Sequence, residues 1–320
     1  MIDFPIAICG EKKVQNGEDS YYYHIGDRFA LAAVCDGCGG AGAKKYPGFQ
    51  GKTGAFLASR IVTGTLRDGV RDSLFVSGPN PLEDALKERI NQNLGLAKAQ
   101  GGTRTGLKGG LTKELPTTLA AVLTTGTGRD GIRIQCLWAG DSRCYCLSPK
   151  GLQQLTEDDL RIQDAMDNLT GDGVITNVIS LSRDYQIHSR TIELEMPCMV
   201  FGATDGCFAY YTTPMEFEYS ILHSLLGEGS ARGFEHQLEN GISEVAGDDF
   251  TMSGFAFGFG SWEKILEAYQ HRFNELDEEY IRYLISADQR APEETRTLWQ
   301  KYKRGYSQYL NNGSEQEISI

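Results

Sequence analysis

Long apolar runs are missing from this 320-residue chain. No stretch reaches about 18 uninterrupted apolar residues, so no transmembrane helix is expected. The start, Met1-Ile2-Asp3-Phe4-Pro5, has no basic segment followed by an apolar run. No secretory signal is read there, and a cytoplasmic protein is expected. Positive charge is scarce: 31 Lys and Arg face 43 Asp and Glu, a formal net charge of -12. Nucleic-acid binders need a basic footprint, which sets that class aside. The 5 histidines, His24, His188, His223, His236 and His271, are scattered with no H-E-x-x-H pair, and each reads as structural or surface. Internal repeats and low-complexity tracts are absent. The 8 cysteines are spread through apolar segments and read as buried thiols. Cys35-Asp36-Gly37-Cys38 fits C-x-x-C, but no second pair lies nearby and no helix starts there, so neither redox nor zinc chemistry is supported.

What is present suits a globular protein of one large or two ordinary domains, with 40% hydrophobic and 23% charged residues. Short strands are expected at Ile6–Cys9, Asp19–Ile25 and Phe29–Cys35. Helical spacing follows over Gly51–Leu66 and Pro81–Leu96. Residues 100–111 form a Gly-rich basic loop. It is not a nucleotide P-loop, because Leu107 follows Gly106, and it reads as a flexible connection. Thr117–Thr124, Gly131–Ala139 and Arg143–Leu147 read as a three-stranded meander, and residues 157–177 as a mobile flap or short helix. Thr191–Ala203 reads as a strand pair, Pro214–Leu226 as a helix, and Phe250–Phe259 as the last strand. From Trp262 an αα-hairpin is expected, ending in a polar tail from Asn311.

Acidic motifs beside glycines recur at strand ends: Asn16-Gly17-Glu18-Asp19, Asp36 to Gly40, Gly140-Asp141-Ser142-Arg143, Ala203-Thr204-Asp205-Gly206, and Gly247-Asp248-Asp249-Phe250-Thr251. Any one of them alone reads as ordinary turn chemistry. Together they can converge on one rim of a sheet sandwich. Converging carboxylates repel and are costly to bury without cations. An all-oxygen donor set without nearby His suits Mg²⁺, Mn²⁺ or Ca²⁺. Two such ions can hold and acidify a water for in-line attack on phosphorus, which points to phosphate-ester hydrolysis.

In this order, the motifs resemble those of the metal-dependent protein phosphatases of type 2C, over about residues 5–260. The matching positions are Glu18-Asp19, Asp36 to Gly40, Thr117-Thr118 with Gly140 to Arg143, Thr204 to Gly206, and Asp248 to Thr251. The resemblance implies an α+β fold, a four-layer α-β-β-α sandwich of two antiparallel β-sheets flanked by helices. It implies a phosphatase domain at 1–260 and a helical hairpin extension at 261–320. It implies serine/threonine protein phosphatase activity with two Mn²⁺ or Mg²⁺ ions and a weaker third site. Asp36 would bridge the two metals, with the Gly37 carbonyl as a further ligand. Asp205 and Asp248 would hold the first metal, Glu18 and Asp19 would act mostly through waters, and Asp141 would help hold the third. The implied partners are a phosphoprotein substrate and a cognate Ser/Thr kinase, with neither nucleic acid nor membrane.

The chain departs from the family in several places. The family usually has a phosphate-gripping Arg before the first acidic pair, where this chain has Lys12-Lys13. Lys13 supplies charge without a bidentate fork. Cys38 stands where some members have His, leaving protonation of the leaving group to water. Asp249 stands for the usual Asn, with two roles open: support behind the site, or competition with Asp248 as ligand. Two rival readings remain. Gly37 to Gly42 formally matches G-x-G-x-x-G, but alternating β-α units do not follow. The other is a pseudophosphatase that keeps the fold as a binding module. The C-terminal hairpin reads either as packing on the domain or as a docking element for a partner such as a kinase.

Overall fold

The run Ala30–Cys35 is apolar on both faces and buried throughout, which requires a layer on each side of it. The computed structural model, which describes residues 2–76, 81–102, 113–128, 130–162, 164–170, 173–285 and 292–310, supplies both layers. In chain order the elements begin with β1 (Ile2–Gly10), β2 (Ser20–Ile25), β3 (Ala30–Cys35), β4 (Lys45–Tyr46), β5 (Lys52–Thr53), α1 (Gly54–Arg71) and α2 (Leu82–Gln100). Next come β6 (Leu119–Thr127), β7 (Gly131–Ala139), β8 (Arg143–Ser148), β9 (Gly151–Gln154), α3 (Asp167–Thr170), β10 (His188–Glu195) and β11 (Cys198–Ala203). The chain continues through α4 (Pro214–Leu226), α5 (Ala231–Val245), β12 (Phe250–Phe257), α6 (Trp262–Leu276), α7 (Arg282–Ile285) and α8 (Pro292–Tyr306).

One antiparallel sheet has the order β1-β12-β11-β8-β9, and the other the order β10-β7-β6-β3-β2. Val34, Ala120, Val122, Val200, Phe255 and Phe257 fill the space between them. Outside the second sheet, α1 and α2 bring Leu57, Val62, Leu66, Leu86, Ile90 and Leu94. Outside the first, the later helices bring Phe217, Leu238, Tyr269 and Trp299. The protein is therefore an α+β, four-layer α-β-β-α sandwich. Among the described residues, no helix is long and apolar enough to cross a membrane.

One expectation needs revision, and one helix was missed. Strands at 117–124, 131–139 and 143–147 do not form one meander. β6 and β7 pair in the second sheet, but β8 pairs with β9 and β11 in the first. The chain changes sheets at Gly140, whose φ of +101 permits the sharp reversal. Helix α5 was not foreseen, although Phe234, Leu238 and Ile242 mark its buried stripe behind a Ser230 cap. Among the described residues of 157–177 there is one short helix, α3, one of the two forms expected there. Most of the Gly-rich loop and the tail from Asn311 lie outside the described residues.

The C-terminal helices are built into the core. Trp299 and Tyr306 are each 1% exposed and Tyr269 is fully buried, its hydroxyl donating to Leu147 O at 2.7 Å. Arg272 on α6 pairs with the buried Glu218 of α4 at 2.7 Å, and Tyr302 of α8 donates to the same carboxylate at 2.5 Å.

Candidate metal centre

The expected site residues come from strand ends at one rim of the sandwich. β3 delivers Asp36, whose N–H donates to Thr118 Oγ1 at 3.0 Å. Its carbonyl accepts from Thr118 N at 2.9 Å and Thr117 Oγ1 at 2.6 Å. The Asp36 and Asp19 carboxyl groups lie close enough to act on each other. Asp19 Oδ2 also accepts the Thr204 hydroxyl at 2.8 Å. Thr204 lies between β11 and Asp205, and its Oγ1 accepts from Thr251 N at 2.9 Å. One threonine thus ties the ends of β11 and β12 to the loop before β2.

The electrostatics report the crowding. Burial, then the neighbouring Asp205, Asp19 and Asp141, push the Asp36 carboxyl well above the usual range. Burial pushes Asp19 up to about 7 despite the Thr204 hydrogen bond. Burial and Asp205 push Asp141 up to about 8, and burial and Asp248 push Asp205 up to about 6. Each charged form is disfavoured by desolvation and by like charge. Asp141 Oδ1 is buried with no hydrogen-bond partner.

Glu18 is half-buried at the same rim. It accepts the hydroxyl of Thr53, whose oxygen also caps α1 by accepting from Phe56 N at 3.1 Å. A side chain on Gly39 would meet Glu18 Oε2, so any larger residue there would have to displace the carboxylate that Thr53 holds. Gly37 is buried in the turn between them. Asp248 is exposed at the outer edge, accepting from Asp249 N at 2.9 Å. Lys13 is exposed within electrostatic reach of Glu18.

Asp249 has its oxygens engaged elsewhere. Oδ1 accepts Lys12 N and Oδ2 accepts Glu18 N, each at 2.7 Å. It braces the acidic loop, as a carboxylate with two acceptors can and an amide with one cannot. Arg143 is 2% exposed and its guanidinium is already paired with Asp158 at 2.7 Å. Lys113 is a half-buried cation within reach of Cys38 and Asp141. Sequence reasoning missed it, together with the bracing by Thr53 and Thr204; for Asp249, support behind the site was one of the two roles left open. These contacts are tertiary and leave no local pattern.

Among the described residues, no three His, Cys, Asp or Glu side chains are set to hold one metal ion by themselves. The donor chemistry nonetheless fits hard divalent cations. Four acidic side chains crowd together with a buried oxygen left unpartnered, and Mg²⁺-like ions keep several waters and take backbone carbonyls. Cys38 adds no thiolate, because burial and then Asp36 push its thiol well up.

No family model and no curated protein matches the chain. Solved structures do. The Mycobacterium tuberculosis serine/threonine phosphatase PstP/Ppp is 20% identical, with a TM-score of 0.56 over 80% of this chain and 99% of that one. The catalytic domain of PstP in complex with 2 manganese ions is 21% identical, with a TM-score of 0.52 over 79% and 97%. Stp1 of Staphylococcus aureus is 19% identical, with a TM-score of 0.55 over 81% and 96%. The chain has the fold of the bacterial PPM-type serine/threonine phosphatases.

Proposed function

We propose that the protein is a metal-dependent phosphatase that hydrolyses phosphoserine or phosphothreonine in proteins. The carrying observation is the meeting of Asp19, Asp36, Asp141 and Asp205, from separate strand ends, where burial and neighbouring like charge lift all four carboxyls. Asp36 would bridge two Mn²⁺ or Mg²⁺ ions, with the Gly37 carbonyl beside it. Asp205 and Asp248 would hold the first, Glu18 and Asp19 would act through waters, and Asp141 would serve a weaker third. When bound, the ions supply positive charge for the phosphoryl group and a more acidic water.

The chain's own residues do the rest. Thr53 fixes the Glu18 carboxylate and Asp249 holds its backbone. Thr204 holds Asp19, and Thr117 and Thr118 hold the Asp36 backbone, which keeps the acidic groups together. Lys13 and Lys113 offer point charges to the substrate phosphate in place of a bidentate Arg. Residues 1–260 would form the phosphatase unit, and 261–320 a helical addition that completes the outer layer. The setting would be cytoplasmic, opposite a Ser/Thr kinase. The test is Mn²⁺-dependent hydrolysis of a phosphothreonine peptide or para-nitrophenyl phosphate, lost in Asp205→Asn.

A second reading has support from the exposure of Asp248 and from Lys12-Lys13 standing where the family has its phosphate-gripping Arg. The same fold would then serve as a non-hydrolysing binding module. Phosphopeptide binding without turnover at saturating Mn²⁺ would favour it.

A further inference from the structure

The turn that carries Asp141 is held by a side chain from the segment after β9. Asp159 Oδ2 accepts the Gly140 N–H at 2.9 Å, and the Asp159 N–H donates to Gly140 O at 2.9 Å. Asp159 Oδ2 also accepts from Asn177 Nδ2 at 2.7 Å, while Oδ1 faces His188 Nε2 at 2.9 Å. His188 is fixed in turn. Its ring stacks on Trp138 with centroids 5.0 Å apart, and the Trp138 indole N–H donates to Glu157 O at 2.7 Å. This stack forms one wall of an open cleft of about 450 Å³.

On the other side of Gly140, Asp141 Oδ1 is buried without a partner. The aim of that oxygen is therefore set by the turn behind it. The turn has a glycine at φ +101, a conformation that tolerates drift unless it is clamped. Asp159 clamps it by both its backbone and its side chain.

We propose that Asp159, backed by His188, is the positioning residue that aims Asp141 at the weakest-bound divalent ion. The inference rests on the metal-dependent reading above. Partners hydrogen-bonded to a metal ligand commonly change affinity by about 10–100-fold when removed; Asp159 acts one step further back, through the Gly140 backbone, which sets the expectation at the lower end. In Asp159→Asn, the amide oxygen still accepts from Gly140 and Asn177. The amide N–H₂ can donate to His188 once the imidazole carries its proton on Nδ1. Asn therefore preserves the clamp, and Ala removes its side-chain half.

The test is Mn²⁺ calorimetry with electron paramagnetic resonance of the bound ion, on the full chain and its Asp159→Ala, Asp159→Asn and His188→Ala variants. Asp159→Ala weakens the weakest Mn²⁺ event by about tenfold or more, leaves the tighter events nearly unchanged, and is rescued by Asp159→Asn. His188→Ala falls between. Equal weakening of every event, or an unaltered weakest event in Asp159→Ala, overturns the proposal. Should Asp159→Ala fail to fold, an unaltered weakest event in His188→Ala overturns it. If the unaltered protein takes up no Mn²⁺, the metal-dependent reading itself falls.

Discussion

Asp249 accepts the backbone N–H of Glu18 at 2.7 Å across 231 residues of sequence, while its other oxygen takes the N–H of Lys12. The loop bearing the first acidic pair is thus shaped by a residue from the start of β12. Removing the carboxylate in Asp249→Ala leaves the part-buried Glu18 N–H without its partner, while the exposed Lys12 N–H turns to water. The expected loss is about 1–3 kcal/mol, with weaker Mn²⁺ affinity, measured by urea denaturation and calorimetry. Asp249→Asn keeps one acceptor and should lose less than Ala.

The crowded carboxylates predict an inverse effect on stability. Without metal, Asp36, Asp19, Asp205 and Asp141 repel and are desolvated. Asp36→Asn should therefore raise the melting temperature of the metal-free protein while abolishing the gain on adding Mn²⁺. A variant that melts lower than the parent in chelator would count against this electrostatic account. The same trade between stability and function is common where charged groups are gathered for a task.

Much of this rim was legible before any coordinates. Asp36 and Asp205 follow apolar strands whose ends are easy to find, and glycines mark the turns beyond. Other features depend on pairing between distant segments. Strand β8 is buried on both faces, so no alternation tells which sheet it joins. Thr204 reaching Asp19 and Asp159 clamping Gly140 are likewise invisible in any local window. Helix α5 did carry a readable stripe, Phe234, Leu238 and Ile242, diluted by the polar residues around it.

Trp299 predicts how firmly the C-terminal helices belong to the core. It is 1% exposed, and its indole N–H donates to Asp164 at 3.0 Å. Trp299→Ala should cost about 3–5 kcal/mol by chemical denaturation. Deleting residues 261–320 should leave insoluble protein, since it strips the cover from Tyr145 and Leu147.

Asp164 gives that attachment a pH dependence. Burial lifts its carboxyl, but hydrogen bonds from Lys303 and Trp299 outweigh the lift and hold it below its ordinary value of 3.8. A depressed carboxyl contributes stability that is complete above about pH 3.8 and is lost as pH falls through the folded value. The acid limb of a melting-temperature profile should therefore be shallower below about pH 4 in Asp164→Asn than in the parent. Identical acid limbs would remove Asp164 from the account.

The central claim is that acidic side chains from separate strand ends meet around divalent ions. Anomalous diffraction from a Mn²⁺-soaked crystal tests it most directly. The account predicts two strong peaks about 4 Å apart, with Asp36 between them and Asp205 and Asp248 against one. A crystal with no peak among these residues at saturating Mn²⁺, or with its peaks elsewhere on the surface, would contradict it.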